Sequence, residues 1–439
     1  MNAQHELDLI LDAFFVEGTD EIADRVIDAA LDEIDHTQQR RRMMVPRRFR
    51  PMSVPLRFAA AAVIGVLVVG GIAVFLKPFS SSIGTAPSVP ASQPPSQASS
   101  SPAPASPGQG WTATGDQLND LTSISATLLE DGRVLALGGG DPAGQIYDPA
   151  TGTWSATPTM GHLRAYPAAT RLPDGRVLVA GANDEGASTS ELFDPATDTW
   201  SPGPDLTQER NQPSSIGLPD GRVLLVGGEG GGDNPLAPTA EIYDPSTNAW
   251  TATSTMKVGR ANPGLAILPD GRVLAMGGFA GFQGTGQQMT CEIYDPAADT
   301  WTATGDMNVI RVFAASTALP DGRILIVGGT PATGDIYDPA SGTWTATGPI
   351  GLSHGEYSYG VLATMPDGSV YFTTGGGSGS RLDPATGTWA PVASGPVAPF
   401  VKSATPLAGG KVLVAEGLSA DGSPGERGPS ELLDPAALP

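Results

Sequence analysis

The chain has one cysteine, Cys291, in 439 residues. That excludes an intramolecular disulfide and any zinc site built on paired cysteines. Histidine is nearly as scarce. Beyond residue 110 only His162 and His354 occur, and this disfavours a histidine-ligated copper centre. Basic residues are also few, 24 Lys+Arg against 46 Asp+Glu, for a net charge of −22. The deficit is uneven. Residues 1–77 hold 9 basic and 11 acidic side chains, while the rest of the chain holds 15 and 35. An acidic bulk of this kind repels phosphate backbones, so no nucleic-acid partner is expected. No serine-nucleophile elbow and no ordered calcium loop is expected. "GGGDN" from Gly230 lacks a ligand spacing.

Long apolar runs are confined to one place. Phe58 to Leu76, "FAAAAVIGVLVVGGIAVFL", carries no charge over 19 residues. As a helix it rises about 28 Å, enough for a bilayer core. Seven arginines stand just before it, within residues 40–57, Arg40, Arg41, Arg42, Arg47, Arg48, Arg50 and Arg57, whereas only Lys77 follows before Arg133. The positive-inside rule then places the N-terminus in the cytosol and the C-terminal bulk outside. We therefore divide the chain into a cytosolic segment 1–56, a transmembrane helix 57–76, a Pro/Ser/Ala-rich linker 77–110 and a domain 111–439. The linker cannot bury a core and reads as an extended tether, on the order of 90 Å at most. In the head, Leu7, Ile10, Leu11, Phe14 and Phe15 follow helical spacing, and a second apolar stripe runs from Ile22 to Ile34. Short acidic helices, one span and an outer domain together resemble membrane-bound anti-sigma factors. The His/Cys zinc motif of many of those is absent.

Glycine (57) and proline (41) are plentiful, which suits short strands and tight turns. They recur in order. "LPDGRVLLVGG", residues 218 to 228, is echoed at Asp131, Asp174, Asp270 and Asp321, and more loosely at Asp367 and Gly410. Tryptophan marks the period: Trp111, Trp154, Trp200, Trp250, Trp301, Trp344 and Trp389 are 43 to 51 residues apart. Each part has a physical reason. "PDG" between apolar runs is a hairpin turn, and "VLLV" is a strand buried on both faces. The double glycines, Gly227–Gly228, Gly277–Gly278 and Gly328–Gly329, remove side chains where backbones crowd. "YDPxTxxW" makes a second hairpin whose Tyr–Trp pair packs between units. Four strands per unit follow.

This order, Gly-Gly then Tyr then Trp in a unit of about 50 residues, resembles the kelch repeat over residues 111–439. The resemblance implies a β-propeller with one four-stranded blade per repeat. Phe193, Leu382 and Leu433 replace the tyrosine, and Ala180 replaces one glycine. Seven Asp-Pro turns, at Asp148, Asp194, Asp244, Asp295, Asp338, Asp383 and Asp434, count seven blades. The last lacks a tryptophan after it, whereas Trp111 has no unit before it. The expected fold is thus all-β, a seven-bladed kelch-type β-propeller closed by an N-terminal strand that completes the last blade. It is preceded by the transmembrane helix and a small α-helical cytosolic segment.

Two sets of residues are candidates for recognition. The connections from Gly181, Gly227 and Gly277 vary in length between copies while the strands do not. Arg164, Arg210, Arg260 and Arg311 each stand ten residues after a tryptophan, and His354 holds that place after Trp344. Such arginines either hold loop carbonyls between blades or contact an acidic ligand. The arginines after each "DG", Arg133, Arg176, Arg222, Arg272 and Arg323, are expected to serve their turns. Galactose oxidase also contains a seven-bladed kelch-type domain. That likeness implies a cysteine-crosslinked tyrosine and histidine copper ligands, for which this sequence has too few histidines. The expectation is a binding module for a protein, peptide or glycan at the propeller rim, with no metal, no cofactor and no catalysis. A transmembrane sensor is the alternative.

Overall fold

The computed structural model describes residues 109–438, apart from 119–124, 139–140, 182–186, 231–235, 237, 280–287, 312–313, 329–331, 353–359, 366, 376–377, 393–400 and 417–429. Contacts divide the chain into Met1–Ala98 and Ser99–Pro439. The expected cytosolic helices, membrane span and nearly all of the tether lie outside the described residues. Among those described, no helix is long and apolar enough to cross a membrane.

Seven four-stranded antiparallel sheets follow one another along the chain. Their innermost strands are Ser125–Leu128, Ala168–Arg171, Ser214–Gly217, Gly264–Ile267, Ala315–Ala318, Val361–Thr364 and Val401–Pro406. Each touches the next, and the seventh touches the first, so the sheets close into a ring of blades around an axis. Trp111–Ala113 pairs antiparallel with Glu431–Leu433 and supplies the outermost strand of blade seven, with Trp111 opposite Leu433. The ring is therefore fastened by the strand that the unit count left over.

The hydrophobic pattern explains the stacking. The second strand of blades one to five is buried at every position. Its side chains alternate between faces. In blade three, Val223 and Leu225 pack with Leu172, Leu178 and Leu192 of blade two, while Leu224 and Val226 pack with Val273 of blade four. Seven apolar layers arise this way, one at each junction between blades. The tyrosine and tryptophan meet across strands, Tyr243 opposite Trp250 with ring centroids 5.4 Å apart, and face the preceding blade. Trp111, Trp154 and Trp250 are buried, and Trp200, Trp301, Trp344 and Trp389 are half-buried.

Blade six has no tyrosine on its third strand, only Leu382. The aromatics come instead from its second strand. Phe372 meets Trp389 edge-on at 6.2 Å, and Tyr371 meets Trp111 of blade seven at 6.1 Å. Room for Tyr371 comes from Gly379, where a Cβ would stand 2.1 Å from the phenol oxygen.

Candidate functional site

Antiparallel order sorts the connections into two ends of the propeller. The first-to-second and third-to-fourth strand turns lie at one end. The second-to-third connections and the links between blades lie at the other. At the turn end each "DG" turn has glycine at positive φ, as at Gly221 (90°). The aspartate before it accepts the backbone N–H two residues on: Asp220 Oδ1 lies 3.1 Å from Arg222 N. The same arginine pairs with Asp220 Oδ2 at 2.7 Å. Arg133, Arg176, Arg272 and Arg323 repeat this geometry with Asp131, Asp174, Asp270 and Asp321. Arg133 and Arg323 reach further, donating to Pro195 O and Pro384 O of the following blade. These arginines serve the turns and the junctions.

At the other end stand Arg164, Arg210, Arg260 and Arg311, on the links that carry the chain from one blade to the next. All four are buried, at 0–1% exposure. Their donors point into the blade ahead. Arg210 Nε donates to Glu241 Oε1 at 2.7 Å, and Nη1 donates to Gly227 O at 2.6 Å and Thr239 O at 3.0 Å. Arg260 bonds Gly277 O, Thr290 O and Glu292, and Arg311 bonds Gly328 O, Thr333 O and Asp335. Arg164 bonds Gly181 O, Thr189 O and Glu191 in the same way. Burial pushes the guanidinium pKa of Arg164, Arg210 and Arg311 down, and the carboxylate beside each opposes that shift. Of the two roles open to these arginines, the geometry supports the internal one. Each clamps a link to the base of the next blade. His354 and Gly329 lie outside the described residues.

The carboxylates are the partners that sequence reasoning missed. Glu191, Glu241, Glu292 and Asp335 stand two residues before the Tyr-Asp-Pro or Phe-Asp-Pro turn. Their second oxygen accepts a backbone N–H seven residues after the tryptophan: Gly161, Thr207 and Lys257, at 2.6 to 2.8 Å. Asp335 is one methylene shorter, and there the Asn308 side-chain amide bridges instead, at 2.7 Å. Blade one has no arginine at Trp111 plus ten, and the acid becomes Gln145, which still accepts from Leu118 N at 2.7 Å. Blade six, with His354 in the arginine position, has Ser380. Arginine and acid thus vary together within the repeat. Blade seven departs from this, keeping Glu431 where the arginine position is Pro399.

The double glycine receives the clamp. Arg260 O lies so near Gly227 that a Cβ there would stand 2.0 Å away, and Gly228 N donates to that carbonyl at 3.0 Å. Gly227, Gly228, Gly277, Gly278 and Gly328 all take positive φ. The varying connections after Gly181, Gly227 and Gly277 start and finish at this same end. Their central residues, and most of "GGGDN", lie outside the described residues.

One segment runs against expectation. Gly351 to Gly355, "GLSHG", has the GxSxG spelling. It falls between the described strands Thr343–Pro349 and Val361–Thr364. Ser353 and His354 lie outside the described residues.

Comparison with known proteins agrees with this architecture. The kelch motif matches residues 213–257, which span the four strands of blade three. No curated protein matches the chain. Among solved structures, a fungal alcohol oxidase described as having catalytic diversity among the AA5 family, in complex with copper, is similar at 19% identity. Its TM-score is 0.60, over 74% of this chain and 76% of that one. The likeness is one of fold.

Among the described residues, the donors do not fit a copper centre. His162 lies 3.7 Å from Glu191, whose carboxylate is engaged by Arg164. Cys291 is buried in the apolar layer between blades four and five, and desolvation pushes its thiol up to about 12. Tyr337, in the same layer, has its hydroxyl 2.7 Å from Thr304 Oγ1. Among the described residues no three His, Cys, Asp or Glu side chains are grouped as metal ligands. Repeat order, blade count and strand closure converge: the described residues of 111–439 form a seven-bladed β-propeller, and its third blade matches the kelch motif.

Proposed function

We propose that this protein is a membrane-anchored binding module. Its propeller stands outside the cell and holds a protein, peptide or glycan at the end where the blades are linked. One observation carries the reading. The seven copies keep their strands and their turn end nearly constant, four of them keep the buried clamp, and they vary in length in the second-to-third strand connections, which start and finish at a single end. Packing explains constancy, and recognition is the ordinary reason for variation on a rigid scaffold. The span at 57–76 and the arginines before it support the anchor and its orientation.

Binding without turnover is part of the same reading. The fold is shared with an oxidase, but folds host many functions and the site decides. Here Cys291 and Tyr337 are packed in one apolar layer, and His162 lies beside the clamp of blade two, 3.7 Å from Glu191.

The test uses the full chain in detergent, incubated with cell-envelope extract. In parallel, residues 182–186, 231–237 and 280–287 are replaced by short Gly-Ser links. The expected result is a specific ligand retained by the parent and lost by the variant, with the melting temperature kept. Equal retention by both would refute the assignment to this end. Capture of nothing by the parent would refute the binding role.

A further inference from the structure

Among the described residues, six non-glycine residues hold a left-handed backbone, with φ from 49° to 55°. Asp198, Asn248 and Asp299 do so in outer hairpins, at a position that Gly152, Gly342 and Gly387 fill in other blades. In two of these the side chain serves the fold, since Tyr243 and Tyr294 donate their hydroxyls to Asn248 and Asp299 at 2.9 Å. The other three, Tyr166, Gln212 and Asn262, share one place in the repeat. Each lies two residues after a clamp arginine, directly before a proline, and two residues before the innermost strand. That puts them at the mouth of the axis. Asn262 N donates to Gln212 O at 2.8 Å, so blades three and four set these residues side by side. The bridges Asn211–Glu229 and Ala261–Phe279 hold the backbone in place.

A left-handed conformation costs a non-glycine residue on the order of 1 kcal/mol, and glycine would remove that cost. The half-buried side chains of Tyr166, Gln212 and Asn262 make no hydrogen bond to the described residues. Beside them, Asn211 Oδ1 is enclosed with no donor among the described residues. The strain is therefore kept for side chains that the fold does not use. Just along the axis, Thr170 Oγ1 and Ser215 Oγ pair at 2.6 Å and continue a hydroxyl lining.

The geometry points to a binding site for a neutral, hydroxyl-rich ligand, the end of a saccharide chain, on the arc of Tyr166, Gln212 and Asn262. It rests on the binding role proposed above. Two carboxamides, each donor and acceptor, match vicinal hydroxyls, and a phenol ring offers a flat apolar face to sugar C–H groups. An anionic ligand would find the arginines beneath already neutralised by Glu191, Glu241 and Glu292.

The test titrates the full chain, in a sugar-free amine-oxide detergent, with cellohexaose, mannohexaose and maltoheptaose by calorimetry. The variant carries Tyr166→Gly, Gln212→Gly and Asn262→Gly. The expected result is that at least one oligosaccharide binds the parent and that the variant loses on the order of 100-fold in affinity. Its melting temperature should be unchanged or higher, because glycine suits these backbones. Unchanged affinity in the variant overturns the assignment, as does a lowered melting temperature, which would show that the fold uses these side chains. Binding of none of the three sugars overturns it as well, while envelope capture of a protein would leave the broader binding role standing.

Discussion

At the turn end of the propeller, the side chains of Arg133, Arg176, Arg222, Arg272 and Arg323 are 29–39% exposed beside their aspartates. At the link end, Arg164, Arg210, Arg260 and Arg311 are 0–1% exposed beside theirs. The two sets have the same chemistry and similar distances, 2.7 Å at the turns and 2.7–3.0 Å at the links. They differ in burial, and each link arginine also donates to two backbone carbonyls. In water an ion pair exchanges one set of strong interactions for another and contributes little. Inside the protein, the loss of either partner leaves a charge with no solvent to receive it.

That contrast can be broken by mutation. Arg210→Ala should cost about 3–5 kcal/mol, because Glu241 is left buried and charged, and thermal melts of the full chain will measure it. Arg210→Met combined with Glu241→Leu should recover most of the loss, with a coupling above ~2 kcal/mol in a double-mutant cycle. Additive effects would mean that the two groups act separately. Arg222→Ala at the turn end should cost below about 1 kcal/mol once solvent screening is counted, and 1 M salt should shrink it further.

The smallest effect concerns pH. Hydrogen bonds from Arg222, Arg272 and Arg323 hold the Asp220, Asp270 and Asp321 carboxyls below their ordinary value. A carboxyl depressed in the folded state stabilises the fold above its unfolded pKa, about 4, and loses that contribution as pH falls through the folded value. The parent should therefore lose a little stability below about pH 4, and the Arg222→Ala, Arg272→Ala, Arg323→Ala variant should lose less over that window. An identical pH profile for both would remove these pairs from the acid response.

The turn end was legible because its signals are local. Pro-Asp-Gly, Asp-Pro and the alternation of Val223 to Val226 each act over a few residues. Closure by Trp111 was legible through counting, since one strand had no blade. The clamps were only half legible. Their arginines recur in plain sight, but the acids lie 24 to 32 residues further on, across a connection of changing length. The signal that could have found them is the loss of acid where arginine is lost, at Gln145 and Ser380. Blade six hid its repair in the same way. Phe372 does the work of the missing tyrosine from a different strand, which no register in the repeat announces. The left-handed turns at Tyr166, Gln212 and Asn262 have only a following proline as a marker, and a backbone angle is not written in side-chain chemistry.

The most direct measurement is arginine labelling of the native full chain with a dicarbonyl reagent, read by mass spectrometry. Arg133, Arg176, Arg222, Arg272 and Arg323 should react, while Arg164, Arg210, Arg260 and Arg311 should stay unmodified until the protein is unfolded. Modification of those four in the native protein, at rates like the turn arginines, would contradict the internal clamp and return them to the surface as ligand contacts.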